Sequence, residues 1–181
     1  IDGKPIGKVN FVLRDSKNRI WLTVSTMVNP CTKAVSLPVG DGYVAMADER
    51  GLRVVADGFR FTNEIRFDAC EEWLYVVETT GPHVTRLRVR ADGTLGEREI
   101  FGPSHLGGFP DGIAFDAQGN LWGTLVMVDR LFALTPEGDL RILLDDGDPQ
   151  ASRTLMEQWQ RGAATMEHMA AARGTLAPWM A

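Results

Sequence analysis

The chain has 181 residues, 44% hydrophobic and 24% charged, with 19 glycines and 9 prolines, which is the composition of a globular fold rather than of a disordered or fibrous chain. Its 19 basic residues against 24 acidic ones give a formal net charge of −5, and no basic stripe is visible, which argues against nucleic acid as a partner. No apolar run approaches the roughly 20 residues that span a bilayer, and no signal-peptide pattern opens the chain. The two cysteines, Cys31 and Cys70, are too few and too far apart for a disulfide framework or a zinc cluster. They are expected to be reduced, partly buried thiols, in keeping with a cytoplasmic setting.

In chain order, residues 9–13 and 20–25 alternate or run apolar and are expected as strands. Residues 42–47 and 52–56 follow, joined by the hairpin signal Asp48-Glu49-Arg50-Gly51. The next four strands are expected at 64–67, 73–78, 83–90 and 97–101, with Ala91-Asp92-Gly93 as a turn. Four more are expected at 112–115, 121–126, 130–134 and 140–144, with Pro136-Glu137-Gly138 as a turn. These sets are copies of one unit. NFVLRD from Asn10, NEIRFD from Asn63 and DGIAFD from Asp111 align without gaps, and each opens on Asn or Asp and closes on Asp. Each then passes a turn, Ser16-Lys17-Asn18, Ala69-Cys70-Glu71 or Ala117-Gln118-Gly119, and enters an apolar pair, Ile20-Trp21, Trp73-Leu74 or Leu121-Trp122. Four strands recurring at about 50 residues are the signature of a β-propeller blade, and a sandwich does not repeat at that period. The fold class is therefore all-β, a β-propeller of which about three blades are present.

After Asp145-Asp146-Gly147-Asp148-Pro149 the composition shifts to Ala, Met, Gln, Glu and Arg, and two helices are expected at 150–162 and 165–172. Asp148 caps the first with Pro149 at its first position, and Gly162 and Gly174 end the two. Leu155, Met156 and Trp159 share a face, as do Met166, Met169 and Ala170, and both faces are expected to pack against the blades. The organisation is thus blades over 1–148, a helical segment over 149–174, and the start of a further strand over 175–181.

The repeat puts Asn10, Asn63 and Asp111 at equivalent places at the head of an innermost strand, converging near the propeller axis. Asn and Asp also favour loop-to-strand junctions because they bond their own backbone. Convergent oxygen donors from separate blades are, however, what a hard cation such as Ca²⁺ requires. Pro110 stiffens the approach to Asp111, and Gly112 lets the backbone come close to a ligand. His83, His105 and His168 have no zinc-motif spacing and are expected to be solvent-facing or structural, His105 being closest in sequence to Pro110-Asp111. Glu78 is expected at a blade edge. Gly107-Gly108 precedes no helix and is not a phosphate cradle, and no Gly-x-Ser-x-Gly elbow is present.

Residues 109–122, FPDGIAFDAQGNLW, resemble the hallmark segment of the senescence-marker-protein/gluconolactonase/luciferin-regenerating-enzyme-like family of sugar-lactone lactonases. NEIRFD from Asn63 resembles that family's preceding Asn-Gly blade opening, and Gly7-Lys8-Val9-Asn10 the Arg-x-Asn of the blade before. The resemblance covers residues 7–146, and the helical tail resembles an insertion in one bacterial branch of the family. It implies a six-bladed propeller that binds one divalent metal, Ca²⁺ first and Zn²⁺ second, at the channel mouth. Asn63 and Asp111 match metal ligands, and Asn10 and Lys8 match substrate-contacting positions. Lys8 replaces an Arg, putting a point charge where the family has a bidentate fork, and Glu64 stands where the family has Gly. A further metal-binding Glu of the family would precede Ile1.

The implied reaction is metal-dependent hydrolysis of an aldonolactone, with Asp111 also a candidate general base. The alternatives are a non-catalytic binding module and an inactive truncated propeller whose open blade edges pair with a second copy. Ile1 and the ending Pro178-Trp179-Met180-Ala181 are expected to be cuts in a longer chain.

Overall fold

The three repeats fold as three separate sheets. The computed structural model describes residues 1, 5–37 and 39–175. The first sheet contains β1 (Val9–Arg14), β2 (Ile20–Val24), β3 (Gly42–Asp48) and β4 (Gly51–Phe59), and a 3₁₀ turn over Cys31–Ser36 lies between β2 and β3. The second contains β5 (Thr62–Phe67), β6 (Trp73–Glu78), β7 (His83–Val89) and β8 (Leu95–Phe101). The third contains β9 (Phe109–Phe115), β10 (Leu121–Val126), β11 (Arg130–Leu134) and β12 (Leu140–Asp145). In each sheet the strands pair antiparallel in sequence order, so each repeat is one meandering blade. The first strand of each blade lies innermost, β5 touching both β1 and β9.

The blades stack face to face. Leu74 and Val76 of β6 join Trp21, Val44, Met46 and Phe59 of the first blade. Their neighbours Tyr75 and Val77 point the other way, into a cluster with Phe109, Ile113, Leu121 and Leu125 of the third. A strand buried on both faces needs apolar residues at successive positions rather than in alternation, which explains the unbroken run from Leu74 to Val77. Gly93, in the turn between β7 and β8, marks how closely two blades approach. It holds φ +84°, and a Cβ there would fall 2.6 Å from Arg19 Nη1 and 2.7 Å from Met46 Cε.

The repeated aspartate closes the loop between the first two strands of each blade. Asp15 Oδ1 accepts the backbone N–H groups of Lys17 (3.0 Å) and Arg19 (2.9 Å), and Oδ2 accepts Arg19 Nε (2.5 Å) and the Trp21 indole (2.9 Å). Asp116 repeats the pattern with Gln118, Asn120 and the Trp122 indole. Asp68 accepts the N–H groups of Glu72 and Trp73, and Leu74 occupies the place of the capping indole. Burial works to raise the Asp15 carboxyl, but the bonds from Trp21 and Arg19 outweigh it and leave the pKa below the usual aspartate value. Asp116 is held down at about 2 by Asn120 and Trp122.

Two helices follow the third blade, α1 (Pro149–Gln160) and α2 (Met166–Ala172). Asp148 caps α1 by accepting from Ala151 N at 2.7 Å, and Thr165 caps α2 through His168. Leu155 and Met169 are buried in the cluster that holds the third blade. The expected second face is only partly right. Met169 packs inward but Met166 is 76% exposed and Ala170 is also exposed, while Ala172 takes the inward position. Met166 is the first residue of the short α2. Both cysteines are free, and Cys70 is exposed rather than partly buried because it sits at a turn. No described helix is long and apolar enough to cross a membrane. After Thr175, the strand expected over 175–181 lies outside the described residues.

Asp15→Ala should destabilise the chain by about 2–4 kcal/mol in urea unfolding, because it leaves a buried guanidinium, an indole and two backbone N–H groups without their acceptor. Since the folded pKa is depressed, the contribution is full above the unfolded carboxyl pKa and fades as pH falls through the folded value. The gap between wild type and variant should therefore narrow on acidification. Leu155→Ala should cost about 2–5 kcal/mol and Met166→Ala within about 0.5 kcal/mol, a contrast read in the same titration.

Candidate functional site

The innermost strands share an irregularity that the sequence did not announce. In β1 the pairing with β2 runs Val9 to Val24 and resumes at Val12 to Leu22. In β5 it runs Thr62 to Glu78 and resumes at Ile65 to Val76. In β9 it runs Pro110 to Leu125 and resumes at Ile113 to Gly123. In each blade two inner-strand residues oppose one on the partner, which is a β-bulge. The first bulged residue is Asn10, Asn63 or Asp111. A bulge turns a side chain out of the regular alternation, so all three polar side chains leave the blade faces together. It also lengthens β5 and β9 beyond the expected strands, which were to begin at Glu64 and Gly112.

These side chains meet. Asn10 Nδ2 donates to Asn63 Oδ1 at 2.7 Å, and Asn63 Nδ2 donates to Thr79 Oγ1 at 3.1 Å. The Thr79 hydroxyl in turn donates to the Pro110 carbonyl at 2.9 Å. Asp111 is raised above the usual aspartate pKa by burial, and a hydrogen bond from the Asn63 side chain opposes this only in part. The network fixes the Asn63 amide: its nitrogen faces Thr79 and Asp111, and its oxygen accepts from Asn10. Glu64 adds an inter-blade tie, accepting from Ile113 N at 2.7 Å and pairing with Arg66 at 3.3 Å. Arg66 lies over the Phe11 ring at 4.5 Å. The first two blades and the third are thus linked across the head of their inner strands.

Lys8 is not drawn into this network. Its backbone pairs with Ser25 and Thr26, and the residue lines a cavity of about 460 Å³ with Gly7, Met27, Val28 and Asn29. Glu78 is not at a blade edge, because β6 lies in mid-sheet. It is buried, accepting from Arg60 N (2.8 Å), Thr85 Oγ1 (2.5 Å) and His83 Nε2 (3.2 Å). Burial raises its carboxyl, and these bonds outweigh that and hold it low. His105 closes its own loop by accepting from Gly107 N at 3.0 Å. Burial and the nearby His83 keep it below the usual histidine range. His168 is used by the α2 cap.

The Asn63 and Asp111 oxygens are hard donors of the kind a divalent cation such as Ca²⁺ takes. The Asp111 carboxylate, half-buried and short of donors, gains most from a cation. Among the described residues no group of three or more His, Cys, Asp or Glu side chains assembles. Asn63 and Asp111 therefore fit as part of a coordination sphere that needs about six to eight oxygens for Ca²⁺. Sequence reasoning found the converging trio but missed Thr79, the hydroxyl that links Asn63 to Pro110. Its only sequence signal is its place immediately after the strand paired with the bulge.

Comparison with known proteins shows the family and the fold. The chain is 29% identical over 94 residues to a 6-deoxy-6-sulfogluconolactonase of Pseudomonas putida, a match covering 51% of this chain and 32% of that protein. Among solved structures it resembles a gluconolactonase of Xanthomonas campestris, with a TM-score of 0.61 and 24% identity over 79% of this chain and 50% of that one. It also resembles the calcium-binding protein regucalcin of Agrobacterium tumefaciens, with a TM-score of 0.60 and 20% identity over 72% of this chain and 42% of that one. The chain thus spans half or less of the length of these relatives, and the structural likeness supports a partial propeller of about three blades. The SMP-30/Gluconolactonase/LRE-like region matches residues 2–145, so the chain belongs to the SMP-30/gluconolactonase/LRE-like family.

Proposed function

We propose that this chain is the part of a sugar-lactone hydrolase that carries Asn63 and Asp111 as ligands of one divalent metal, Ca²⁺ in the first place and Zn²⁺ in the second. The observation that carries the reading is the bulge repeated in β1, β5 and β9, at which Asn10 bonds Asn63 and Asn63 bonds Asp111. Support also comes from the family and from the lactonases among its relatives, one acting on a sulfonated gluconolactone. When bound, the metal would supply Lewis-acid polarisation of the lactone carbonyl.

Asn10 contacts the sugar lactone in this reading, and Lys8 supplies a positive charge at the rim. Asp111 receives a proton from the attacking water, and the ring oxygen takes up a proton as the acyl C–O bond breaks, giving the open hydroxy acid. Thr79 and Glu64 hold the Asn63 amide and the β9 strand in register. The half-burial of Asp111 keeps bulk water from competing for its carboxylate. A cytoplasmic site of action belongs to the same reading, in keeping with two free cysteines. So does self-association through the last blade, where Ile142, Leu143 and Leu144 of β12 stay exposed.

Calorimetric titration with Ca²⁺ and Zn²⁺ should show one site, and Asp111→Ala should abolish it. An unchanged metal affinity in that variant would refute the ligand assignment. Hydrolysis of an aldonolactone panel, followed by pH-stat, should require the metal and fall at least about 100-fold in Asp111→Ala, the scale on which a positioned proton acceptor acts. A folded, metal-loaded chain without lactone turnover would remove the hydrolase reading.

A further inference from the structure

A cavity of about 430 Å³ lies beside the bulge site, and its lining includes Ser36, Arg60, Thr80, Trp159, Gln160 and Arg161. It is walled by two arginines and no carboxylate. Among the described residues neither Arg60 nor Arg161 forms an ion pair. Arg53, Arg86, Arg88 and Arg130 are neutralised, on Asp48, Glu99, Glu72 and Asp145, and Arg98 and Arg153, though without an ion pair among the described residues, are bonded to the Gly58 carbonyl and to Gln150. Glu78, the carboxylate bonded at Arg60, accepts its backbone N–H rather than its guanidinium, and its other partners are Thr85 and His83.

The cavity adjoins the site through Thr80. Thr80 follows Thr79, the residue bonded to Asn63 and Pro110, and Thr80 N donates to the Arg60 carbonyl. On the other side Trp159 donates its indole N–H to the Val35 carbonyl at 2.8 Å. Its ring stands edge-on to Phe109 at 5.3 Å, two residues before Asp111. The recess thus lies next to the neighbours of the site, Thr79 and Phe109, and is positively charged and partly aromatic.

We propose that this recess is an oxyanion subsite for a phosphate, sulfonate or carboxylate group borne by the substrate at a distance from its lactone carbonyl. Arg60 and Arg161 neutralise the group, the Thr80 hydroxyl donates to it, and Trp159 covers the adjoining carbon chain. Two guanidinium groups without a counter-ion are poised for charge-assisted hydrogen bonds to such oxygens. The lactone itself comes from the hydrolase reading above; the anion preference comes from the cavity. The subsite selects acidic sugar lactones over neutral ones.

The test uses the whole chain, with calorimetry as the readout that needs no turnover. Gluconate bearing a terminal phosphate should bind at least about 10-fold more tightly than plain gluconate. Inorganic phosphate should compete with it, and added salt should weaken it. Arg60→Gln and Arg161→Gln should each lose about 10-fold for the phosphorylated acid and leave plain gluconate unchanged, whereas Arg→Lys should restore part of the loss. Equal affinities for the two acids in wild type, unchanged affinity in the Gln variants, or phosphate binding without competition would each overturn the subsite. The affinity ratio stands apart from catalysis. A wild type that keeps the ratio but opens no lactone loses the hydrolase reading and keeps the subsite, and metal-dependent turnover with equal affinities does the reverse.

Discussion

One backbone irregularity, repeated in three blades, arranges the polar trio at the head of the inner strands. Two inner-strand residues face one on the neighbouring strand at 10–11, 63–64 and 111–112. A regular strand would send successive side chains to opposite blade faces, both of them filled by neighbouring blades. The extra residue breaks that alternation, so Asn10, Asn63 and Asp111 can reach one another while Ile65 and Ile113 stay in the core. Backbone groups freed from the ladder find other partners. Phe11 N donates to Thr23 Oγ1 at 3.0 Å, and Ile113 N to Glu64 Oε2. The irregularity is therefore satisfied rather than strained, and it recurs because the stacking of blades leaves polar side chains few other places to go.

The blade pattern was legible because each strand carries its own signal. Alternation, turn glycines and the Asp-to-Trp spacing of Asp15-Trp21 and Asp116-Trp122 are local, and their physical cause, an aspartate closing a hairpin and capping an indole, is local too. The converging trio was legible through the repeat. The bulges were not, because pairing register depends on two strands at once and leaves no mark in either sequence alone. Glu78 was misjudged for the same reason: a strand-end residue looks exposed until the loop carrying Arg60 and the start of β7 fold over it. Met166 and Ala170 were misjudged because a helix of only seven residues has too few turns for its spacing to fix which side meets the blades.

The helices are part of the site as well as of the fold. Leu155 and Met169 complete the core of the third blade, while Trp159 reaches back to Val35 and to Phe109. Gly174 N donates to the buried Asp129 carboxylate at 2.8 Å, fixing the end of α2 to the turn between β10 and β11. The segment after β12 is thus tied back to the third blade, and it forms one wall of the arginine-lined recess. The recess thus takes one wall from the helices, whereas the polar trio comes from the blades.

The proposed sharing of one cation by Asn63 and Asp111 is tested most directly by a crystal of the chain grown with Ca²⁺. It should show an ion within about 2.3–2.6 Å of Asn63 Oδ1 and of an Asp111 carboxylate oxygen, with the Asn63 amide nitrogen still on Thr79. An ion bound elsewhere, or an Asn63 amide turned so that its nitrogen faces Asn10, would contradict it.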